Sequence, residues 1–150
     1  MRVVIQRVRY ARLSVAGELI SQISQGLMVL VGIAEEDGRE EISYLCKKLA
    51  ALRIFDDEEG VMNRSVVDID GEVMLVSQFT LMASTKKGNR PSYIHAARPE
   101  ISRPLYDEFC SALEELLGKK VARGCFGADM QIELLNDGPV TITIDTARDR

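Results

Sequence analysis

Three uncharged hydrogen-bonding side chains stand close together in this sequence, at Ser77, Gln78 and Thr80, with Phe79 among them. They close an otherwise apolar stretch, 73–81, and a buried strand rarely carries such groups unless each finds a partner. Two readings are open. Either the strand end leaves the core and its side chains cap neighbouring backbone, or it lines a site. In a site, the Thr80 hydroxyl is a nucleophile only if a base takes its proton, and no base lies nearby in sequence. Gln78 can orient a carbonyl or a water.

The remaining chemical inventory is thin. His95 is the only histidine and sits in a loop-like stretch, so any Ser–His or Cys–His device would depend on it. Cys46, Cys110 and Cys125 are scattered, with no C-x-x-C pair, and read as small hydrophobes in a reducing compartment. No metal-ligand spacing, dinucleotide fingerprint or P-loop is present, so neither a metal nor a cofactor is expected. Asn136-Asp137-Gly138-Pro139 consists of turn formers and reads first as a tight turn between two strands, with Gly138–Pro139 in the ordinary trans state.

The elements that must position these residues follow from periodicity. Residues 2–9 have strand character, and 11–15 alternate into a turn at Ala16-Gly17 and a second arm over 18–23. Residues 27–33 are continuously apolar, as in a strand buried on both faces. Asp37 and Glu40 suggest a capping box opening a helix to about Arg53, with Ile42, Leu45, Cys46, Leu49 and Leu52 as its inner stripe. Residues 56–60 form a charged run read as a solvated turn. In extended geometry, 73–81 places Gln78 and Thr80 on one face and Ser77 and Phe79 on the other. Pro99 and Pro104 bracket the entry to a second helix, which stops at Gly118. Strands are expected over 120–126, 130–134 and 140–144. The sum is one α+β domain spanning 1–150, its two helices covering a largely antiparallel sheet rolled toward a barrel.

Composition narrows the function classes. A net charge of −4 argues against coating nucleic acid by bulk electrostatics, though not against local contact with one RNA end. The longest apolar run, 27–34, is far short of the ~20 residues needed to span a bilayer. The N-terminus lacks a signal-peptide core. A cytoplasmic protein with no membrane partner is expected.

Taken together, Ser77-Gln78-Phe79-Thr80 and Asn136-Asp137-Gly138-Pro139-Val140-Thr141 resemble the two signature motifs of the D-aminoacyl-tRNA deacylases, also called D-tyrosyl-tRNA deacylases. Ile5-Gln6-Arg7-Val8 is similar to the family's opening strand. Arg53-Ile54-Phe55, Gly60-Val61-Met62-Asn63, Arg90-Pro91-Ser92-Tyr93 and Gly124-Cys125-Phe126-Gly127-Ala128-Asp129-Met130 follow in family order, with Tyr93 where Phe is common.

The resemblance implies a homodimeric, barrel-like hydrolase that cleaves the ester joining a D-amino acid to the 3′-terminal adenosine of tRNA. It also implies action on glycine mischarged on tRNA-Ala. Gly138 and Pro139 would form a cis peptide that enters the partner subunit's pocket and rejects L-aminoacyl-tRNA. Ser77, Gln78, Phe79 and Thr80 would shape the aminoacyl site, and Phe126 and Met130 would hold the terminal adenine. The tRNA 2′-OH would assist catalysis, which fits a chain with so little acid–base equipment; attack by Thr80 is the competing view. Arg2, Arg7, Arg9 and Arg12, and above them Lys86, Lys87 and Arg90, would meet phosphates of the aminoacyl-tRNA 3′ end. Two other classes compete: a non-catalytic nucleic-acid-binding module, and a Thr-dependent hydrolase of some other ester.

Overall fold

The computed structural model describes all residues, Met1–Arg150. Its spine is β1 (Arg2–Val15), one uninterrupted strand where two shorter stretches were expected. On one edge β1 pairs antiparallel with β3 (Gly26–Gly32) along its first half and with β2 (Glu18–Ile23) along its second. On the other edge it pairs antiparallel with β8 (Met130–Asp145) along nearly its whole length. The turn at Ala16-Gly17 joins β1 to β2 as the sequence suggested.

The expectation of a largely antiparallel sheet needs correction, because the sheet is mixed. β6 (Glu72–Ser77) runs parallel to β3, and β7 (Ala122–Arg123) runs parallel to β6. The reason lies in the connections. Each of these pairs is joined through a helix, and a long helical crossover returns the chain in the same direction, whereas a short turn reverses it. Continuous apolar character in 27–33 and 73–76 is the pattern of parallel strands covered on both faces. The sheet then curls until β2 approaches β7, where the Ser21 hydroxyl donates to the Arg123 carbonyl at 2.8 Å, leaving a nearly closed barrel.

The two long helices form where periodicity placed them. α1 (Arg39–Ala51) begins one residue later than expected: Gly38 is its N-cap, and the Gly38 amide donates to Glu41. Asp37 instead accepts the Ala34 amide and the N-terminal ammonium. α2 (Pro99–Leu117) starts at Pro99 and ends at Gly118, with Pro104 inside its second turn rather than at its entry. A short α3 (Thr146–Asp149) was not anticipated. β4 (Phe55–Asp56) and β5 (Met62–Arg64) make a separate hairpin whose solvated turn is held by Asp57. The strand expected over 120–126 shrinks to the two residues of β7.

Packing divides in two. The larger cluster lies between the sheet and the long helices and includes Val3, Ile5, Leu45, Leu49, Leu75, Phe109 and Leu113. The smaller fills the barrel with Val8, Ala11, Leu13, Met28, Met74 and Val76. Each Leu or Phe fully buried there contributes roughly 2 kcal/mol relative to exposure. No helix is long and apolar enough to cross a membrane.

Candidate active site

β6 carries four buried residues, 73–76, and then emerges from the core at Ser77. Its ladder with β3 ends at the Val31–Ser77 pair, and the Gln78 amide makes one last bond to the Val31 carbonyl at 2.7 Å. With β3 exhausted at Gly32, nothing remains for an extended chain to pair with, and residues Phe79–Met82 coil into a 3₁₀ turn. The expected strand over 73–81 therefore stops at Ser77. Gln78 and Thr80 still meet, because the turn brings the Gln78 amide nitrogen to the Thr80 hydroxyl at 2.5 Å.

At this strand end lies a cavity of about 310 Å³. One wall is Val31, Val76, Ser77, Gln78 and Phe79; the other is Phe126–Met130 together with Ile132; Ala97 and Ser102 close the end nearest α2. Five of the eight sequence-derived site residues thus share one cavity: Ser77, Gln78, Phe79, Phe126 and Met130. Phe126 is held from two sides. The Tyr106 ring lies 6.0 Å away, and the Arg103 guanidinium stacks over its face at 4.9 Å. Phe79 is 56% exposed, its ring edge-on to Tyr93 at 5.0 Å.

Thr80 stands beside the cavity rather than in its lining, and its hydroxyl bonds to the Gln78 amide alone. An amide NH₂ donates and takes no proton, so Thr80 has no base. His95 is exposed and borders a separate cleft of about 790 Å³ near Asp37 and Lys86. The buried thiols are no better placed. Burial pushes Cys46 up to about 12 and Cys110 up to about 11, so neither is a thiolate at neutral pH.

Gly138 and Pro139 do not line this cavity. The turn expected at 136–139 is a bulge within the single long strand β8. Between the Val8–Asn136 and Gln6–Thr141 pairs, β1 advances two residues while β8 advances five, so three extra residues are expelled outward. Gly138 and Pro139 are both exposed at the tip, and their peptide bond is cis.

Beneath the tip lies Arg7, which is only 7% exposed. Its Nε donates to the Asp137 carbonyl at 2.9 Å and its Nη1 to the Ile54 carbonyl at 2.7 Å, with the Asp56 and Asp137 carboxylates 3.7 and 3.8 Å away. A Cβ on Gly138 would stand 2.9 Å from Arg7 Nη2, and the glycine φ of +124° is one that side chains disfavour. The reading of Arg7 as a phosphate-facing cation is therefore corrected: it is a buried brace for this projection. The signal was in the strand phase, since Val3, Ile5 and Arg7 alternate inward together.

The other cations divide. Arg2 is engaged with Asp145 and the Leu81 carbonyl, and Arg9 with Asp137. Lys86, Lys87 and Arg90 are exposed in a loop closed by paired backbone bonds between Ser84 and Ser92, and none of the three forms an ion pair.

The sequence matches the family model described as D-Tyr-tRNA(Tyr) deacylase over residues 4–145. It is 60% identical to a D-aminoacyl-tRNA deacylase of Bacteroides thetaiotaomicron and 63% identical to one of Porphyromonas gingivalis, covering 97% of both chains in each case. Among solved structures, the fold superimposes with a TM-score of 0.93 on one described as c-Myc DNA Unwinding Element Binding Protein, at 40% identity over 97% of this chain and 99% of that one. A probable eukaryotic D-amino acid tRNA deacylase superimposes with a TM-score of 0.84 at 18% identity, over 95% and 97% of the two chains, and so shares the fold. A match over nearly the whole chain, together with the motif residues gathered in one cavity, places this protein in the D-Tyr-tRNA(Tyr) deacylase family of ester hydrolases.

Proposed function

We propose that this protein hydrolyses the ester between a D-amino acid and the 3′-terminal adenosine of tRNA, releasing the free amino acid and tRNA. The observation that carries the reading is the two-walled cavity. Its lining combines the polar Ser77 and Gln78 with the apolar Met130 and the aromatic Phe79 and Phe126. An aminoacyl ester on a terminal adenosine needs both kinds of surface, hydrogen-bonding groups for the ester and an aromatic face on which adenine stacks.

The chemistry asks little of side chains. Water adds to the ester carbonyl, the carbonyl oxygen gains negative charge, and collapse expels the ribose oxygen, which takes a proton. At the head of the 3₁₀ turn, the first backbone N–H groups have no partner within the turn and are suited to receive that oxyanion. Gln78 orients the carbonyl or the water. Thr80 is not the nucleophile, because its only partner is an amide donor. The ribose 2′-OH lies next to the ester and activates the water, supplying the function the protein lacks. Fixed positioning of an already reactive ester provides much of the remaining rate.

Discrimination falls to Gly138 and Pro139. They project away from their own cavity on a braced loop, a placement that suits insertion into the pocket of a second copy, so the working form is a homodimer. Screening then acts at the α-carbon: a D substrate directs its side chain away from the loop, an L substrate meets it, and glycine passes because it has no side chain. Lys86, Lys87 and Arg90 meet backbone phosphates of the acceptor end.

The test is hydrolysis of matched D- and L-aminoacyl-tRNA, with glycyl-tRNA beside them. Loss of the D and glycyl esters with the L ester spared is the expected result. If no ester is cleaved faster than in buffer, the reading fails. A DNA-binding module, the property for which one solved relative is described, then takes first place.

A further inference from the structure

We propose that Tyr106 is a positioning residue whose hydroxyl sets the separation of the two cavity walls, and so the fit of the base-binding end of the substrate relative to the ester-binding end. The inference rests on the proposed hydrolysis of D-aminoacyl-tRNA and deepens it.

The two walls grow from one short junction. β6 and β7 pair at only two positions, Met74–Ala122 and Leu75–Arg123, and then diverge. Beyond that point β6 reaches Ser77 within two residues, and the chain leaving β7 reaches Phe126 within three. At the point of divergence the Leu75 carbonyl accepts the Gly124 amide at 3.3 Å, a long bond that would hold the walls poorly by itself.

Tyr106 completes the joint. Its hydroxyl donates to the same Leu75 carbonyl at 2.7 Å and accepts the same Gly124 amide at 3.1 Å, so one oxygen bonds both walls. The residue is 2% exposed and comes from α2, an element outside both walls, whose Ser102 also reaches the cavity. Burial holds its phenol protonated, well above the usual tyrosine range, so the hydroxyl stays a donor. The space between the walls is tight here as well: a Cβ on Gly124 would stand 2.9 Å from Met130 Sδ and 3.3 Å from Val76 Cγ1. The Tyr106 ring also abuts Phe126, the residue assigned to the base.

Such a joint governs how well both substrate ends are held at once, without touching the reacting atoms. The experiment compares Tyr106→Phe with the unaltered protein on two substrates: D-aminoacyl-tRNA, and the same D-amino acid esterified to ribose without a base. Expected for the tRNA substrate is a KM raised about tenfold, the scale of one lost hydrogen bond, with kcat little changed. The base-free ester should be cleaved by both proteins with equal kcat/KM. A merely structural role would lower both substrates together.

Gly124→Ala perturbs the same junction by pressing on Met130 and Val76 and should shift KM in the same selective way; it decides the matter if Tyr106→Phe does not fold. Equal losses on both substrates, or no change on either, overturn the proposal. If the unaltered protein cleaves no D ester, the proposed function itself has failed, and that result is distinct from a failure of the positioning role.

Discussion

The segments 77–80 and 136–139 carry the two signature motifs of the chain, and the fold treats them in opposite ways. The first ends a buried strand and turns Ser77, Gln78 and Phe79 toward a cavity of its own chain, with Thr80 beside it. The second is expelled from a strand pair and presents its tip to solvent. Support differs too. The 77–80 wall rests on the sheet ladder and on Arg2, which bonds the Leu81 carbonyl at 2.6 Å and Asp145 at 2.7 Å. The 136–139 loop is braced by Arg7 through main-chain carbonyls. Wall and loop can therefore be perturbed separately: in the proposed function one holds the substrate and the other rejects the L ester.

The largest expected effect is on the loop. Replacing Pro139 with Ala, or Arg7 with Gln, should relax chirality so that L-aminoacyl-tRNA is cleaved while D-ester cleavage persists. Arg7→Gln should also cost stability, roughly 1–3 kcal/mol for each buried carbonyl left without its donor. A mixing experiment sharpens the comparison. Adding an excess of Phe126→Ala chains to Pro139→Ala chains gives each intact pocket an intact loop from its partner, and L-ester cleavage should fall to the level set by the weakened Phe126→Ala pockets while D-ester cleavage remains. Undiminished L-ester cleavage would mean that the loop screens its own chain or nothing.

On the wall, Phe126→Ala should weaken substrate binding by about 1–3 kcal/mol, the value of one base–aromatic stack, read as a rise in KM for D-aminoacyl-tRNA. Chiral preference should not move. Thr80→Ala should lower kcat by roughly tenfold at most, since it removes one partner of Gln78 and no nucleophile. A loss of several orders of magnitude would restore Thr80 as the attacking group.

The smallest effect is acid sensitivity. Burial alone would raise the Asp145 carboxyl, but hydrogen bonds from the Arg2 guanidinium and the Ala147 amide outweigh it and hold it below the usual carboxylate range. Glu114 behaves likewise: burial is outweighed by the Val121 amide and Arg123. Carboxyls depressed in the folded state contribute stability above the ordinary carboxylate value and lose it as pH falls through the depressed one. The melting temperature should therefore be level from neutrality to about pH 5 and decline below about pH 4. The Arg2–Asp145 support belongs to the wall, whereas the hydrogen bonds of Arg7, at 2.9 and 2.7 Å, go to main-chain carbonyls, with the Asp56 and Asp137 carboxylates farther off at 3.7 and 3.8 Å. Acid should thus weaken D-ester binding before it relaxes chiral preference.

Periodicity alone was sufficient for α1, α2, the β1–β2 hairpin and the solvated turn held by Asp57, because each is a local pattern of apolar spacing and turn chemistry. Ser77, Gln78 and Thr80 stood out for a similar reason, since uncharged polar groups at the end of an apolar run conflict with burial, whereas Phe126, Met130, Gly138 and Pro139 were singled out as site residues only through the resemblance of their motifs to the family. Three things were decided only by tertiary structure. Strand direction in β6 and β7 depends on the route of the crossovers, and a continuous apolar run looks the same in either direction. The end of β6 at Ser77 is set by where its partner β3 stops, a fact belonging to another segment. The fate of 136–139 hinges on β1, since the same turn formers would make a hairpin if the flanking strands paired with each other. They pair instead with one long neighbour, so the surplus residues leave the sheet, with Arg7 drawn beneath them.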